Sequence, residues 1–205
     1  MSQEFEGSTL ARPILHHVNL KTTRLQEMID WYATTVGLTT VFQFPGGAWL
    51  TNDTANHRLA LLTSSKMSDD PGKLVHTGIH HTAFEYATID GLLNAYTRLK
   101  ELGITPHMCL DHGMTLSFYY VDPDGNSVEL QIDNFGDWAQ SKEWMRTSPD
   151  FAKPWVPSSV SLAGLSGPAA SELVSVKPMA TASIPWQNDI SYLPGSAAGS
   201  RRRKR

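Results

Sequence analysis

The chain has 205 residues, of which 40% are hydrophobic and 18% are charged, and this length suits one domain of ordinary size with additional tails. Its net charge is −3, but residues 201–205 are all basic, and without them 12 basic residues face 20 acidic ones. The acidic body argues against a general nucleic-acid-binding role, and apolar runs of only a few residues exclude a membrane helix of roughly 20 residues.

Both ends are predicted to lie outside the folded domain. Residues 1–12 are read as a flexible amino terminus without the apolar stretch of a secretory signal. Residues 151–205 are rich in Ser, Ala, Gly and Pro, which predicts a low-complexity, mostly disordered tail. Its end, Arg201–Arg205, is read as a solvated charged terminus, with a nuclear address as the alternative. The expected compartment is the cytoplasm, because the single cysteine fits a reducing environment.

The first part of the body, residues 13–63, predicts one strand, one helix and three further strands. A strand is expected over 14–20. A helix is expected over 24–36, because its apolar residues recur at helical spacing and Gly37 follows as a stop. Three short strand-like runs come next, separated by turn residues, at 39–44, 48–51 and 57–62.

Residues 78–133 repeat this order at a shift of 64 positions, which separates His17 from His81. A strand over 78–84 and a helix over 89–102 are followed by strand-like runs at 105–110, 114–121 and 127–132. A capping helix is expected within 134–148. Two βαβββ modules predict an α+β domain over 13–150, with a curved eight-stranded mixed sheet around a cleft and the helices outside.

Histidine pairs occur in both opening strands. Because neighbouring strand residues point to opposite faces, one histidine of each pair faces the cleft. The apolar neighbours of His16 assign it to the helix-packing face and His17 to the cleft, and the repeat assigns His81 likewise. Glu129 lies in an otherwise apolar strand and needs a partner. His17, His81 and Glu129 therefore predict a two-histidine, one-carboxylate set, which is typical of non-haem Fe(II) sites.

The first module lacks a fourth ligand. Aligning residues 58–61 on 127–130 places Ala60 at the position of Glu129, and alanine cannot bind a metal. Three protein ligands leave several metal positions free, as oxygen activation with a chelating substrate requires. Four would suit Lewis-acid proton chemistry.

These motifs resemble the vicinal oxygen chelate superfamily, which includes glyoxalases, bleomycin-resistance proteins and extradiol dioxygenases. The resemblance covers 13–150. It rests on the His-His strands at 16–20 and 80–85, the end of the first helix at 31–38 and the stretch around Glu129 at 120–131. Within the superfamily the chain is most similar to type I extradiol ring-cleaving dioxygenases. This similarity implies Fe(II) as the bound metal, with Mn, Zn, Ni or Co as alternatives.

The resemblance also implies which residues handle protons. Tyr119, in the family's Ser-Phe-Tyr run, would hydrogen-bond a substrate oxygen, and His57 would be the acid–base histidine. In a regular strand His57 and Ala60 would face opposite sides, so His57 reaches the cleft only if the strand begins or bulges after it. A second histidine of these enzymes is Leu110 here, and His112 is expected to substitute for it.

The implied function is an Fe(II)-dependent extradiol-type dioxygenase that cleaves a catechol or related polyphenolic ring with O2. The expected partners are a small aromatic substrate and O2, without nucleic acid or membrane, and homodimerisation stays open. Two alternatives remain, a non-redox metal-dependent isomerase or lyase of the glyoxalase type and a metal-free small-molecule-binding module. Ala60 counts against a four-ligand glyoxalase, and the complete set of three ligands counts against a pure binder.

Overall fold

The computed structural model describes residues 11–151. The tail predicted over 151–205 and the amino terminus predicted over 1–12 lie almost entirely outside the described residues. The described chain contains eight strands and three helices in the order β1 (Val18–Lys21), α1 (Leu25–Thr35), β2 (Thr39–Phe44), β3 (Gly47–Thr51), β4 (Leu59–Leu62), β5 (His81–Glu85), α2 (Ile89–Glu101), β6 (Met108–Asp111), β7 (Thr115–Val121), β8 (Ser127–Asp133) and α3 (Trp138–Thr147).

Each repeat forms a four-stranded mixed sheet. The strand order is β1-β4-β3-β2 in the first, called sheet A, and β5-β8-β7-β6 in the second, called sheet B. The opening strand of each module lies parallel to the closing strand, and the other neighbours are antiparallel. The predicted α+β class with two βαβββ modules is confirmed. The strands divide between two sheets, whereas the sequence predicts one, because each opening strand pairs with the closing strand of its own module.

The helices end where the glycines predict. Gly37 and Gly103 both have φ of 77°, a left-handed conformation that glycine adopts without a Cβ clash. Thr88 is the N-cap of α2, and its hydroxyl accepts a hydrogen bond from the backbone N–H of Gly91. None of the three helices within residues 11–151 is long and apolar enough to cross a membrane.

The opening strands are shorter than their apolar patterns predict. β1 begins at Val18, where its pairing with Leu59 starts, and β5 begins at His81, which pairs with Ser127. Ile14 precedes the paired region, and its side chain is 82% exposed. Strand alternation therefore does not govern the first residues of the predicted strands, which include the first histidine pair.

The helices cover one face of each sheet. The α1 residues Met28, Ile29 and Tyr32 are buried against apolar residues of β3 and β4. The α2 residues pack in the same way on sheet B, through the buried side chains Leu92, Leu93, Tyr96 and Leu99. Because strand side chains alternate, the opposite face of each sheet stays free of these helices.

The helix α1 also packs against the second module. Val128 of β8 lies in the same core as α1, and the Tyr32 ring is 6.5 Å from the Phe84 ring of β5. The Tyr32 hydroxyl donates to the Asp122 carboxylate at 3.2 Å, and Arg24 forms an ion pair with Asp124 at 2.7 Å. These contacts fix the turn between β7 and β8 of the second module against helix α1 of the first module.

The Tyr32 hydrogen bond is expected to stabilise the fold. Tyr32→Phe should lower the free energy of unfolding by about 1–3 kcal/mol, because it removes a partner from the buried Asp122. Tyr120→Phe is the matched control, since the buried Tyr120 hydroxyl has no hydrogen-bond partner among the described residues. This control should be neutral or slightly stabilising in urea denaturation. Equal losses in both variants would contradict the prediction.

Candidate active site

The strand register places equivalent residues of the two modules in matching rows. Across sheet A the row consists of Asn19, Ala60, Trp49 and Phe42. Across sheet B it consists of Ala83, Glu129, Tyr119 and Met108. Ala60 thus occupies the position of Glu129, as the repeat predicts, and Trp49 occupies that of Tyr119. Residues on either side of these rows pack under the helices, so both rows lie on the helix-free faces.

Glu129 is held in a polar pocket on sheet B. Glu129 is only 4% exposed, and its Oε2 lies 3.0 Å from His81 Nε2. Ser117 and Tyr119 also hydrogen-bond the carboxylate. Burial by itself raises the pKa of Glu129, but these hydrogen bonds outweigh burial and hold the pKa below its usual value. The carboxylate is therefore charged at neutral pH.

The structure brings Tyr119 and His112 to the same pocket. The Tyr119 ring is 5.6 Å from the His81 ring, and His112 Nε2 lies 2.9 Å from the Tyr119 hydroxyl. Burial, followed by the charge of Glu129, raises the pKa of Tyr119 well above its ordinary value. Burial lowers the pKa of His112. At neutral pH the pocket therefore holds a protonated phenol beside a neutral imidazole.

The helix α3 packs on the turn that carries His112. Gly113 has φ of 81°, and a Cβ atom at this position would overlap the indole ring of Trp144. Only a residue without a side chain therefore allows this close approach of Trp144. The predicted capping helix thus contacts the second module beside its polar pocket.

His17 and His57 lie together in the first module. Their ring centroids are 4.3 Å apart, and β4 begins only at Leu59, so His57 precedes the strand as its predicted role requires. Burial, and then the neighbouring His17 and His16, lower the pKa of His57. The Trp49 indole stacks on His57 at 5.7 Å with an interplanar angle of 25°.

His16 joins this group, which the sequence does not predict. His16 Nδ1 is 3.1 Å from His17 Nδ1. His16, His17 and His57 form the one set of at least three potential metal ligands within residues 11–151 whose ligand atoms all lie within 4.8 Å of one another. The prediction that His16 lies on the helix-packing face is wrong, because both histidines precede β1 and strand alternation does not apply to them.

The predicted site residues thus fall into two groups. The structure brings His81, Glu129, Tyr119 and His112 together on the second module. It places His17 and His57 together on the first. Within the described residues the His17 imidazole contacts His16 and His57 rather than completing a compact set with His81 and Glu129.

Sequence reasoning also missed an aromatic surface on sheet A. Phe42, Phe44 and Trp49 are partly exposed on its helix-free face, with ring centroids 5.2–6.2 Å apart. The available signal was Trp49 itself, which alternates with the buried Ala48 and Leu50 and aligns with Tyr119 through the strand register.

Two matching βαβββ modules, with a histidine–carboxylate pair on one helix-free face, are the arrangement that the family resemblance predicts, and residues 14–130 match the family model described as Glyoxalase/Bleomycin resistance protein/Dioxygenase superfamily. The chain belongs to this superfamily, as its motifs predict. Among solved structures, the chain is similar to lactoylglutathione lyase from Agrobacterium tumefaciens, with 20% identity and a TM-score of 0.48, over 60% of this chain and 95% of that one.

Two more similar relatives come from Rhodococcus globerulus. Biphenyl-2,3-diol 1,2-dioxygenase 2 is 44% identical over 125 residues, which are 61% of this chain and 65% of that protein. Biphenyl-2,3-diol 1,2-dioxygenase 3 is 39% identical over 133 residues, which are 65% of this chain and 70% of that protein. The chain thus spans just under two thirds of the length of the first of these relatives. Both are named as dioxygenases of biphenyl-2,3-diol, which supports the predicted similarity to dioxygenases within the superfamily.

Proposed function

We propose that the protein is a metal-dependent extradiol dioxygenase, which cleaves the aromatic ring of a catechol-type diol with O2. The observation that carries this proposal is the buried Glu129 facing His81 at 3.0 Å, opposite a first module whose equivalent position is Ala60. In the proposed site, this difference between Ala60 and Glu129 would give three protein ligands rather than four. The 44% identity to a biphenyl-2,3-diol dioxygenase supports the same reaction class.

In this proposal His17 joins His81 and Glu129 as the third metal ligand, although in this structure its imidazole lies against His16 and His57. The separation of 3.0 Å between His81 Nε2 and Glu129 Oε2 fits two ligands of one ion, which lie roughly 3 Å apart when each bond is about 2.1 Å. The donor set of two imidazoles and one carboxylate favours Fe(II), with Mn as the next candidate. A bound Fe(II) would supply the redox chemistry of the reaction between the diol and O2.

The surrounding residues would bind and orient the diol. Tyr119 keeps its proton and can donate a hydrogen bond to a substrate oxygen, while His112 accepts from or donates to the same hydroxyl. His57 is neutral and can accept the proton that a diol hydroxyl loses. On sheet A the exposed rings of Trp49 and Phe42 offer an apolar surface to an aromatic substrate.

Oxygen uptake tests this function directly. Protein prepared without air and loaded with Fe(II) should retain about one ion per chain and consume O2 when a catechol or a 2,3-dihydroxybiphenyl is added. A panel of diols then defines the preferred ring. Retention of one Zn²⁺ in place of iron, with no O2 uptake from any diol, would contradict the proposal and favour an isomerase or lyase of the same fold.

A further inference from the structure

The proposed reaction uses His17 and His57 separately, but it does not use the cluster that both form with His16. We propose that His16, His17 and His57 form a second divalent-metal site, suited to Zn²⁺. Zn²⁺ at this site would also weaken metal binding by His17, His81 and Glu129, because His17 belongs to both sets, and this effect rests on the proposed function.

The spacing of the imidazoles fits one small ion. His16 Nδ1 and His17 Nδ1 are 3.1 Å apart, close to the separation of about 3.3 Å expected for two nitrogens on a tetrahedral Zn²⁺ with bonds of 2.0–2.1 Å. The His57 ring lies 5.3 Å from the His16 ring and 4.3 Å from the His17 ring. Both pairs are tilted or edge-on, at 69° and 47°, so the rings are not stacked face to face.

The backbone and neighbouring side chains hold this cluster in place. Arg58 donates from Nη1 to the carbonyl oxygen of His16 at 3.0 Å, and its own carbonyl accepts from Val18 at the start of β1. Asp53 pairs with Arg58 at 2.8 Å and balances its charge near the cluster. Trp49 packs on the His57 ring. The backbone that carries His16 and the ring of His57 are therefore held against the sheet by these contacts.

The donor chemistry differs from that of the proposed iron site. Three imidazoles without a carboxylate suit borderline ions such as Zn²⁺, Cu²⁺ and Ni²⁺ and are poor ligands for Mg²⁺ or Ca²⁺. His16 and His17 are exposed and His57 is half-buried, so solvent reaches the cluster and water can complete the coordination. Three histidines and one water are a recurrent zinc arrangement.

Zinc titration of the full chain tests the site without relying on activity. Metal-free Glu129→Ala, which lacks the carboxylate of the proposed iron site, should still bind about one Zn²⁺ per chain in isothermal titration calorimetry. Adding His16→Ala to this variant should weaken Zn²⁺ binding at least about tenfold, because a direct ligand is lost. His76→Ala in the same background is the matched control, since His76 is exposed and pairs with Asp70 outside the cluster.

Equal Zn²⁺ affinity of Glu129→Ala with and without His16→Ala would overturn the second site, whatever the activity of the wild-type protein. The competition is tested separately in the iron-loaded wild-type protein, where Zn²⁺ should lower O2 uptake. His16→Ala should remove this inhibition, and an unchanged inhibition constant would overturn the competition. Absence of O2 uptake from the iron-loaded wild-type protein without zinc would instead contradict the proposed function and leave the calorimetric result unaffected.

Discussion

Glu129→Ala is expected to lower the iron content from about one ion per chain to below about a tenth and to abolish diol-dependent O2 uptake. The carboxylate is the single charged oxygen donor of the proposed set, and its neighbour His81 cannot replace it. Removing hydrogen-bonded groups around a metal ligand already costs about 10–100-fold in metal affinity, so removal of the ligand itself should cost more. Iron measured by atomic absorption after anaerobic desalting gives the result.

Two further variants separate metal binding from folding. Glu85→Ala removes an exposed carboxylate that shares the face of β5 with His81, and it should retain iron and activity. Glu129→Gln keeps the shape and much of the hydrogen bonding but loses the charge, and it should fold with an unchanged far-ultraviolet spectrum while losing iron. Full iron retention in either Glu129 variant would remove this residue from the metal site.

His57→Gln is expected to retain iron and lower kcat by about 10²–10⁴-fold, which is the usual contribution of a general acid or base. The glutamine keeps polar atoms near His17 and Trp49 but cannot accept a proton at neutral pH. Iron analysis after anaerobic desalting, together with steady-state O2 uptake, would assign the loss to turnover rather than to metal content.

His76→Gln is the control for the loss of an imidazole, because His76 lies in the segment between the modules and pairs with Asp70 at 2.9 Å. It should leave kcat and KM unchanged. Wild-type kcat in His57→Gln would contradict the acid–base role, and loss of iron in this variant would instead indicate that His57 contributes to metal binding.

Local patterns in the sequence predict most of the architecture. Helical and strand periods extend over a few residues, so the order of elements and the helix ends at Gly37 and Gly103 follow from residues close in the chain. The correspondence of Ala60 with Glu129 follows from the repetition of this pattern in the second module. The pairing of His112 with Tyr119 was also within reach, since the two lie on one hairpin.

The tertiary structure alone decided how the histidines group. Strand pairing with β4 begins at Val18 and leaves His16 and His17 ahead of the strand, where they meet His57. Likewise, packing of α1 against Val128 and Asp122 joins residues about ninety positions apart. Contacts between such distant segments depend on where strand pairing starts and on how the two modules pack. The hydrophobic period of the sequence encodes neither, because it describes only which way a side chain points within a helix or strand that has already formed.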